Sequence, residues 1–472
     1  MFISHKTHLI ILILVCIISR MLTSVYYIED IDSLRFALSI QDYDLSKLQP
    51  HFPGYPVFCF IVKMLHDLID NMGIVFSLVG GVSVSLIIYY LLRFYNTNLK
   101  SSEGTFIFMI IFFNPLFWIM SNRYMPDLMG LSISVSILYY LIHGYDNDAQ
   151  LEKGFFLSGV LAGVRLSYIP FIILPMLKIV FNGRLVYRHI FLFSSGILLW
   201  LIPMVYVTNI DNIFYLAEKQ TSGHFFDFGG TIFTEYQIFE RALLFIRSIW
   251  ADGLGGYWID RSPITILLSF FIIIFMVFGR KDLAKRFKLD KKFQVLFYCA
   301  LIYSIWVFLF QNIVYKSRHI LPLLFFVCVL LIECRISVRA FFGKRVVYVF
   351  FLTLIIHTLI ITKQHSHSTA INHLKNYIQT NYKRPTILSI PLVSYYLKTH
   401  KIQANFISVK DEKSLSEFNN QIGNDGDIIM IGEYSDLLDE RFYLVQDTVL
   451  YHNPFMNQMW SKIQVNNVKI KN

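Results

Sequence analysis

The sequence predicts an all-α protein that crosses a membrane many times and ends in a small α/β domain. Two observations lead to this prediction. Of the 472 residues, 55% are hydrophobic and only 16% are charged, whereas soluble chains carry about a quarter charged residues. The apolar residues also occur in runs longer than the core of a soluble domain requires. Soluble, disordered, collagen-like and disulfide-scaffold proteins are therefore excluded.

Runs of about 17–25 apolar residues are long enough to span a bilayer. Single spans are predicted at residues 9–27, 73–92, 105–120, 128–143, 190–207, 264–278, 293–311, 320–332 and 346–361. The run at 154–181 is too long for one helix and is interrupted by Pro170 and Pro175. We interpret it as a hairpin of two short helices, which brings the total to about eleven spans.

Lysine and arginine residues set the predicted orientation, because cation-rich loops face the cytoplasm. Alternate loops hold most of these residues, and the richest is at 280–292. The N-terminus is therefore predicted to be cytoplasmic and the C-terminus to lie outside. A single span at 154–181 would place the loop at 280–292 outside, so the charge pattern favours the hairpin. The net charge of +10 is explained by these cytoplasmic loops. Membrane lipids are expected as partners, and no nucleic acid is.

The predicted domains are a membrane domain at 1–362 and an extracytoplasmic domain at 363–472. Two long outer loops, at 28–72 and 208–263, belong to the first domain. The second domain has ordinary soluble composition and alternating β-like and helix-like runs, which is typical of a small α/β domain. Its β-like runs are at 386–390, 404–409, 427–431 and 442–450, and its helix-like runs are at 393–400 and 413–421.

The first outer loop carries the most informative polar residues. Glu29, Asp30 and Asp32 directly follow the first span, and Asp32 is predicted to be the N-cap of the next helix. A solvated helix cap would by itself explain these acids. His51 and Tyr55 lie in the turn HFPGYP, which leads into a helix predicted to lie at the membrane surface over 57–68.

These motifs and their order resemble the GT-C superfamily of membrane glycosyltransferases, in particular protein mannosyltransferases and aminoarabinose transferases. Residues 32–37 (DSLRFA) look like the family's Asp-Glu-x-Arg-Tyr-Ala motif, with Ser33 in place of the second acid. The turn HFPGYP is similar to HxPGYP. Residues 318–322 (RHILP) resemble Arg-Tyr-x-x-Pro, and residues 159–165 resemble a glycine-rich segment that ends in a basic residue.

The resemblance implies a GT-C-like fold and a glycosyltransferase that takes a sugar from a polyprenyl-phosphate donor, with inversion, at the outer face of a bacterial inner membrane. Asp32 or Asp30 would be the general base, with Glu29 auxiliary. The acceptor would be a lipid, a glycan or a protein. The need for a metal stays open; Mg²⁺ or Mn²⁺ would be bound by Asp30 and Asp32.

Basic side chains at the predicted outer ends of spans are candidates for binding the lipid phosphate. We expect Arg165, Arg318 and His319 to converge on one pocket; a snorkelling arginine is the structural alternative for Arg165. Further candidates are His51, Tyr55, Arg123 and His224. Arg123 and Asp127 would also suit a structural ion pair at a tight turn, and the surroundings of His224 would suit an interfacial aromatic belt.

Two other functions would also suit a protein with many membrane spans. A transporter or lipid flippase is typically built from inverted repeats with charged or broken helices at mid-membrane, and no repeat occurs in this sequence. An O-antigen-type polymerase would depend on arginine-rich outer loops more than on an early acidic motif. Patterns for nucleotide binding or a serine nucleophile do not occur in the sequence.

Overall fold

The computed structural model describes residues 5–227, 229–234, 237–411, 415–416, 418, 427–454 and 460–471. The chain divides into two compact units: residues 1–26 with 35–366, and residues 27–34 with 367–472. The short segment 27–34, which we call the acidic segment, thus groups with the C-terminal residues. The sequence did not predict this grouping.

The first unit is helical. Its helices are α1 (His5–Met21), α2 (Ile31–Gln41, whose first turn belongs to the acidic segment), α3 (Pro56–Ile69), α4 (Met72–Phe94), α5 (Ser102–Phe112), α6 (Pro115–Asn122), α7 (Asp127–His143), α8 (Asp148–Arg165), α9 (Ile169–Phe181), α10 (Tyr187–Thr208), α11 (Ile210–Ser222), α12 (Ile238–Arg247), α13 (Ile264–Leu289), α14 (Lys291–Phe310) and α15 (Leu321–His365). The helix predicted over 57–68 is α3; Phe60, Met64 and Leu68 are exposed on one of its faces, as expected of a helix at a membrane surface.

The predicted count of eleven spans is not confirmed. Among the described residues, six helices are long and apolar enough to cross a membrane, or seven if the bent pair α5–α6 is one span. Two shorter apolar helices, Thr7–Met21 and Asp127–His143, are also present. This count takes each of the continuous helical runs Asp148–Phe181 and Ser317–Asn381 as one helix.

The run 148–181 folds back on itself. Arg184, just after α9, contacts Asp146 and Asp148 at the start of α8, with Nη1–Oδ1 and Nη2–Oδ1 distances of 3.2 and 3.3 Å. A straight helix of these 34 residues would separate its ends by about 50 Å. The predicted hairpin is therefore confirmed, and its tip is the short 3-10 helix Leu166–Tyr168.

Two other helices are interrupted. α5 and α6 bend by 56° at residues 113–114, within the single span predicted at 105–120. Arg20 Nη2 donates to the carbonyl of Phe112 at 2.7 Å, and the side chain of Asn114 caps α6. The carbonyl that the break releases thus has a partner. α15 is interrupted at Gly343, whose φ is +77°; the spans predicted at 320–332 and 346–361 lie on either side.

The cation-rich loops meet at one end of the helical unit, which we call the cationic end. Tyr95 donates to Glu333 Oε1 at 2.7 Å, and Arg286 Nε lies 3.5 Å from the same oxygen. Lys292 Nζ lies 3.4 Å from His143 Nδ1. Because α7 ends and α8 begins at this end, Asp127 and Arg165 lie at the opposite end, as the alternation of loops predicts.

The second unit contains α16 (Ala370–Asn381), α17 (Pro391–Thr399) and a five-stranded sheet. The strands are β1 (Thr386–Ser389), β2 (Asn405–Ser408), β3 (Ile428–Ile431), β4 (Phe442–Tyr451) and β5 (Lys462–Ile470), in the order β2-β1-β3-β5-β4. β1 pairs in parallel with β2 and β3, and β5 is antiparallel to β3 and β4. The four predicted strands are confirmed and β5 was missed. The helix predicted at 413–421 falls largely outside the described residues.

Candidate active site

Arg165 occupies the tip of the α8–α9 hairpin. Its backbone leaves the helical region, with φ −155° and ψ 82°, so that α8 ends there. The buried guanidinium reaches polar groups of three other segments: Nη2 lies 2.8 Å from Asp127 Oδ1, Nη1 donates to Tyr55 Oη at 3.2 Å, and Nη2 lies 3.3 Å from His319 Nδ1. Arg165 therefore joins three distant parts of the sequence.

Arg318 and His319 reach the same place from the 3-10 helix Ser317–Ile320, which precedes α15. Arg318 Nε lies 3.7 Å from Asp127 Oδ1. The main-chain carbonyl of His319 accepts a hydrogen bond from Tyr303 Oη at 3.0 Å. Since an arginine can only donate, His319 Nδ1 accepts from Arg165 and carries no proton. The convergence of Arg165, Arg318 and His319 is what the sequence predicted.

Tyr55 and His51 complete this group, which we call the basic cluster: Arg165, Arg318, His319, Asp127, Tyr55 and His51. Tyr55 Oη lies 3.0 Å from His51 Nε2. Because Tyr55 already accepts from Arg165, its own proton is available to the imidazole. Phe36 packs edge-on against both rings, with centroid distances of 5.0 and 5.9 Å, and so fixes their positions.

The basic cluster is buried and rich in donors. Two guanidinium groups face the single carboxylate of Asp127, and at most 7% of the surface of Asp127, Arg165, Arg318 or His319 is exposed. Within the part of the chain that the structure describes, Arg165 Nε makes no hydrogen bond. Charge-assisted hydrogen bonds to an oxyanion are strong, and a site shielded from water strengthens them further. The arrangement can therefore bind a phosphate group.

His224 and Arg123 lie in connecting segments at the same end. His224 belongs to the π-helix Gly223–Asp227, and its Nε2 lies 2.8 Å from the carbonyl oxygen of Phe310. Burial lowers the pKa of His224; the charges of Lys316 and Arg165 lower it further, and the carbonyl opposes them. Arg123 is buried between α6 and α7, four residues before Asp127. Its ion pair with Asp127 stays a prediction.

The acids of the first loop lie in the second compact unit, and Glu29, Asp30 and Asp32 are all buried. Asp30, not Asp32, caps α2: its Oδ1 accepts from the amide of Ser33 at 2.8 Å. The helix begins at Ile31, one residue earlier than the predicted cap. The prediction that Asp32 is the N-cap was therefore wrong. Its carboxylate instead lies in the first turn, where the helix dipole favours a negative charge.

A metal bound by Asp30 and Asp32 stays a prediction. Among the residues that the structure describes, no three His, Cys, Asp or Glu side chains are placed to hold a metal ion. The carboxylate of Asp30 is also engaged at the start of α2. Mg²⁺ is usually bound through one or two carboxylates together with waters and substrate phosphates, and Asp30 and Asp32 would supply two such carboxylates.

The fold is similar to crystal structures of ArnT from Cupriavidus metallidurans. The ArnT structure bound to undecaprenyl phosphate aligns with a TM-score of 0.51 and 10% identity, over 97% of each chain. The chain has the GT-C fold. The apo structure of the same ArnT aligns with a TM-score of 0.43 and 10% identity over the same share of each chain. No family model and no curated protein sequence matches this chain.

The GT-C fold was predicted from four short motifs, and three of them contribute to the basic cluster. HFPGYP supplies His51 and Tyr55, the glycine-rich segment supplies Arg165, and RHILP supplies Arg318 and His319. The sequence pattern suggests Asp127 only as a partner of nearby Arg123 and does not predict its contact with Arg165. Asp127 lies at the start of a helix, at the same end of the helical unit as the other motifs. This position was the signal that could have predicted the contact.

Proposed function

We propose that the chain is a membrane glycosyltransferase that uses a polyprenyl-phosphate-linked sugar as donor. The observation that supports this most strongly is the basic cluster, in which buried donors from three motifs converge within a GT-C fold. An ArnT of that fold has been crystallised with undecaprenyl phosphate. A polyprenyl phosphate carries the oxyanion that such a cluster suits.

The cluster's role is to hold the donor phosphate and to stabilise it as it leaves. Arg165 and Arg318 supply guanidinium donors, and Tyr55 and His319 fix the position of Arg165 through the hydrogen bonds described above. Asp127 offsets part of the positive charge of the cluster, which limits the cost of burying two arginines together. When the bond to the sugar breaks, the phosphate gains negative charge, and the preorganised donors stabilise it.

The acidic segment's role is to take a proton. In a single displacement, the acceptor's hydroxyl or amine attacks the anomeric carbon while the bond from that carbon to the phosphate oxygen breaks. The acceptor's proton passes to a carboxylate, for which Asp32 and Asp30 are the candidates with Glu29 auxiliary, and the electron pair leaves with the polyprenyl phosphate. One such displacement inverts the anomeric configuration.

The proposed location is a bacterial inner membrane, with the cationic end in the cytoplasm and the basic cluster at the outer face. The acceptor class is a lipid, a glycan or a protein exposed on that face.

Binding of undecaprenyl phosphate to the purified protein tests the donor site. Arg165→Gln is expected to weaken binding by about 10- to 100-fold, because hydrogen bonds to charged groups contribute about 1.5–3 kcal/mol. Arg165→Lys, which keeps the charge but loses the planar fork, is expected to be intermediate. Arg188→Gln is the matched control, since Arg188 is mostly exposed and pairs with Glu152 at 3.2 Å. Equal affinities of wild type, Arg165→Gln and Arg188→Gln would reject the site.

A further inference from the structure

The acidic segment is held by buried hydroxyl groups of the second unit. Tyr396, on α17, donates from Oη to the main-chain carbonyl of Ile28 at 2.8 Å. Thr369, immediately before α16, donates from Oγ1 to the carbonyl of Glu29 at 3.1 Å. Both donor side chains are fully buried. Two consecutive carbonyls of the segment are thus fixed by residues more than three hundred positions away.

These two carbonyls directly precede Asp30. The Asp30 side chain accepts from the Ser33 amide, and its carbonyl accepts from the Leu34 amide at 3.0 Å, which starts α2. The main chain around Asp30 is therefore fixed on both sides, by hydroxyl donors before it and by the helix after it. Because a buried donor or acceptor without a partner is costly, this geometry resists local rearrangement.

Tyr396 is suited to remain a donor. Burial raises the pKa of Tyr396, and the nearby charge of Asp30 raises it further, so the phenol keeps its proton at physiological pH. Its ring packs against His400, with ring centroids 4.3 Å apart. The neighbouring Tyr395 has a buried hydroxyl that makes no hydrogen bond within the described residues. The two adjacent tyrosines therefore differ in whether their hydroxyl holds the acidic segment.

We propose that Tyr396 and Thr369 are positioning residues that hold Asp30 and Asp32 in the geometry required for proton transfer. This inference rests on the proposed glycosyltransferase function, and it gives the C-terminal domain a role in that reaction. Neither hydroxyl is assigned a contact with a substrate. Both hydroxyls act through the backbone that carries the acids. Their loss would shift the acids, and a displacement of about 1 Å in a catalytic group can cost about 100-fold in rate.

The first test compares full-length Tyr396→Phe with Tyr395→Phe in a transfer assay with a polyprenyl-phosphate sugar. Tyr396→Phe is expected to lower kcat about 10- to 100-fold, with the KM for the donor unchanged because the basic cluster is untouched. Tyr395→Phe is expected to behave as wild type. Equal kcat values for the two variants would overturn the proposal, and so would a change confined to the donor KM. A wild-type protein without transfer activity would instead reject the proposed function.

The second test needs no activity and uses Thr369. Thr369→Val removes the donor, whereas Thr369→Ser keeps it. Hydrogen exchange of the peptide that contains the Ser33 and Leu34 amides is expected to accelerate in Thr369→Val and Tyr396→Phe, and to return toward wild type in Thr369→Ser. Unchanged exchange in both hydroxyl deletions would overturn the proposal. If Tyr396→Phe does not fold, Thr369→Val and Thr369→Ser are compared instead, by their hydrogen exchange and by their kcat in the transfer assay.

Discussion

Asp127 and Arg165 lie at the start of α7 and the end of α8, with Oδ1 and Nη2 2.8 Å apart in a buried setting. The antiparallel packing of these two helices brings the residues together across 38 positions of sequence. The pair anchors the basic cluster, because Arg318 approaches the same carboxylate oxygen at 3.7 Å.

Removing the Asp127 carboxylate is expected to destabilise the fold strongly. Asp127→Asn leaves two buried guanidinium groups beside a neutral amide, and breaking a buried ion pair costs about 3–5 kcal/mol. Asp146→Asn is the control: its pair with Arg184 is exposed, and such pairs contribute about 0–1 kcal/mol. Denaturant unfolding in detergent measures both. Similar losses for the two variants would contradict a central role for Asp127.

Gly130 is expected to be essential for the placement of Arg165. A Cβ at this position would lie 2.6 Å from Arg165 Cβ, and an atom so close to the main chain cannot swing away. Gly130→Ala should weaken binding of undecaprenyl phosphate about 10-fold or more through displacement of Arg165. In Gly154→Ala, the atoms nearest to the new Cβ would be Leu141 Cδ2, Leu141 Cγ and Tyr140 Cβ. Neither residue belongs to the basic cluster, so this variant should bind normally. Normal binding by Gly130→Ala would contradict the prediction.

His224 is expected to make the protein sensitive to acid. Its folded pKa lies below the ordinary value of 6.5, so the unfolded chain takes up the proton first as the pH falls. The contribution to stability is full above 6.5 and is lost as the pH drops through the folded pKa. His224→Gln should therefore reduce the fall in Tm between neutral and acidic buffer, whereas the same change at exposed His367 should not. An unchanged fall would count against this assignment.

Topology is expected to follow the cation pattern. A reporter inserted at Lys288 should be cytoplasmic, and one fused after Asn472 should be outside. Protease accessibility in intact spheroplasts measures both positions. The opposite result at either site would place the basic cluster on the wrong face for the proposed reaction.

The sequence predicted those parts of the site that lie in contiguous motifs. Short sequence motifs around each residue identified Arg165, Arg318 and His319 as candidates. All three are basic residues at the predicted outer ends of spans, which indicated a shared location. The hairpin that presents Arg165 was predicted from two prolines and from the charge of a later loop. The prolines act on the chain where they stand, and the charge pattern depends on the number of spans that precede the loop. Neither signal depends on how side chains pack.

Contacts between distant residues could not be predicted in this way. The Asp127–Arg165 pair depends on the register between two packed helices, and Tyr396 holds Ile28 across 368 positions. The cap of α2 was misplaced by two residues, because Asp30 and Asp32 are equally good caps by residue type. Only the hydrogen bond from Ser33 to Asp30 decides between them.

Glycosyl transfer by purified Asp32→Asn and Asp30→Asn proteins, from a polyprenyl-phosphate sugar, tests the central claim most directly. Asparagine keeps the size of aspartate and, at position 30, most of its capping ability, so both variants should fold and bind donor. Asp44→Asn is the control, since that carboxylate lies in the same loop and bonds only to Ser46 and Lys47 among its described contacts. At least one of the two variants should lose about 10²–10⁴ in kcat, with Asp44→Asn near wild type. Wild-type turnover in both variants would contradict the claim.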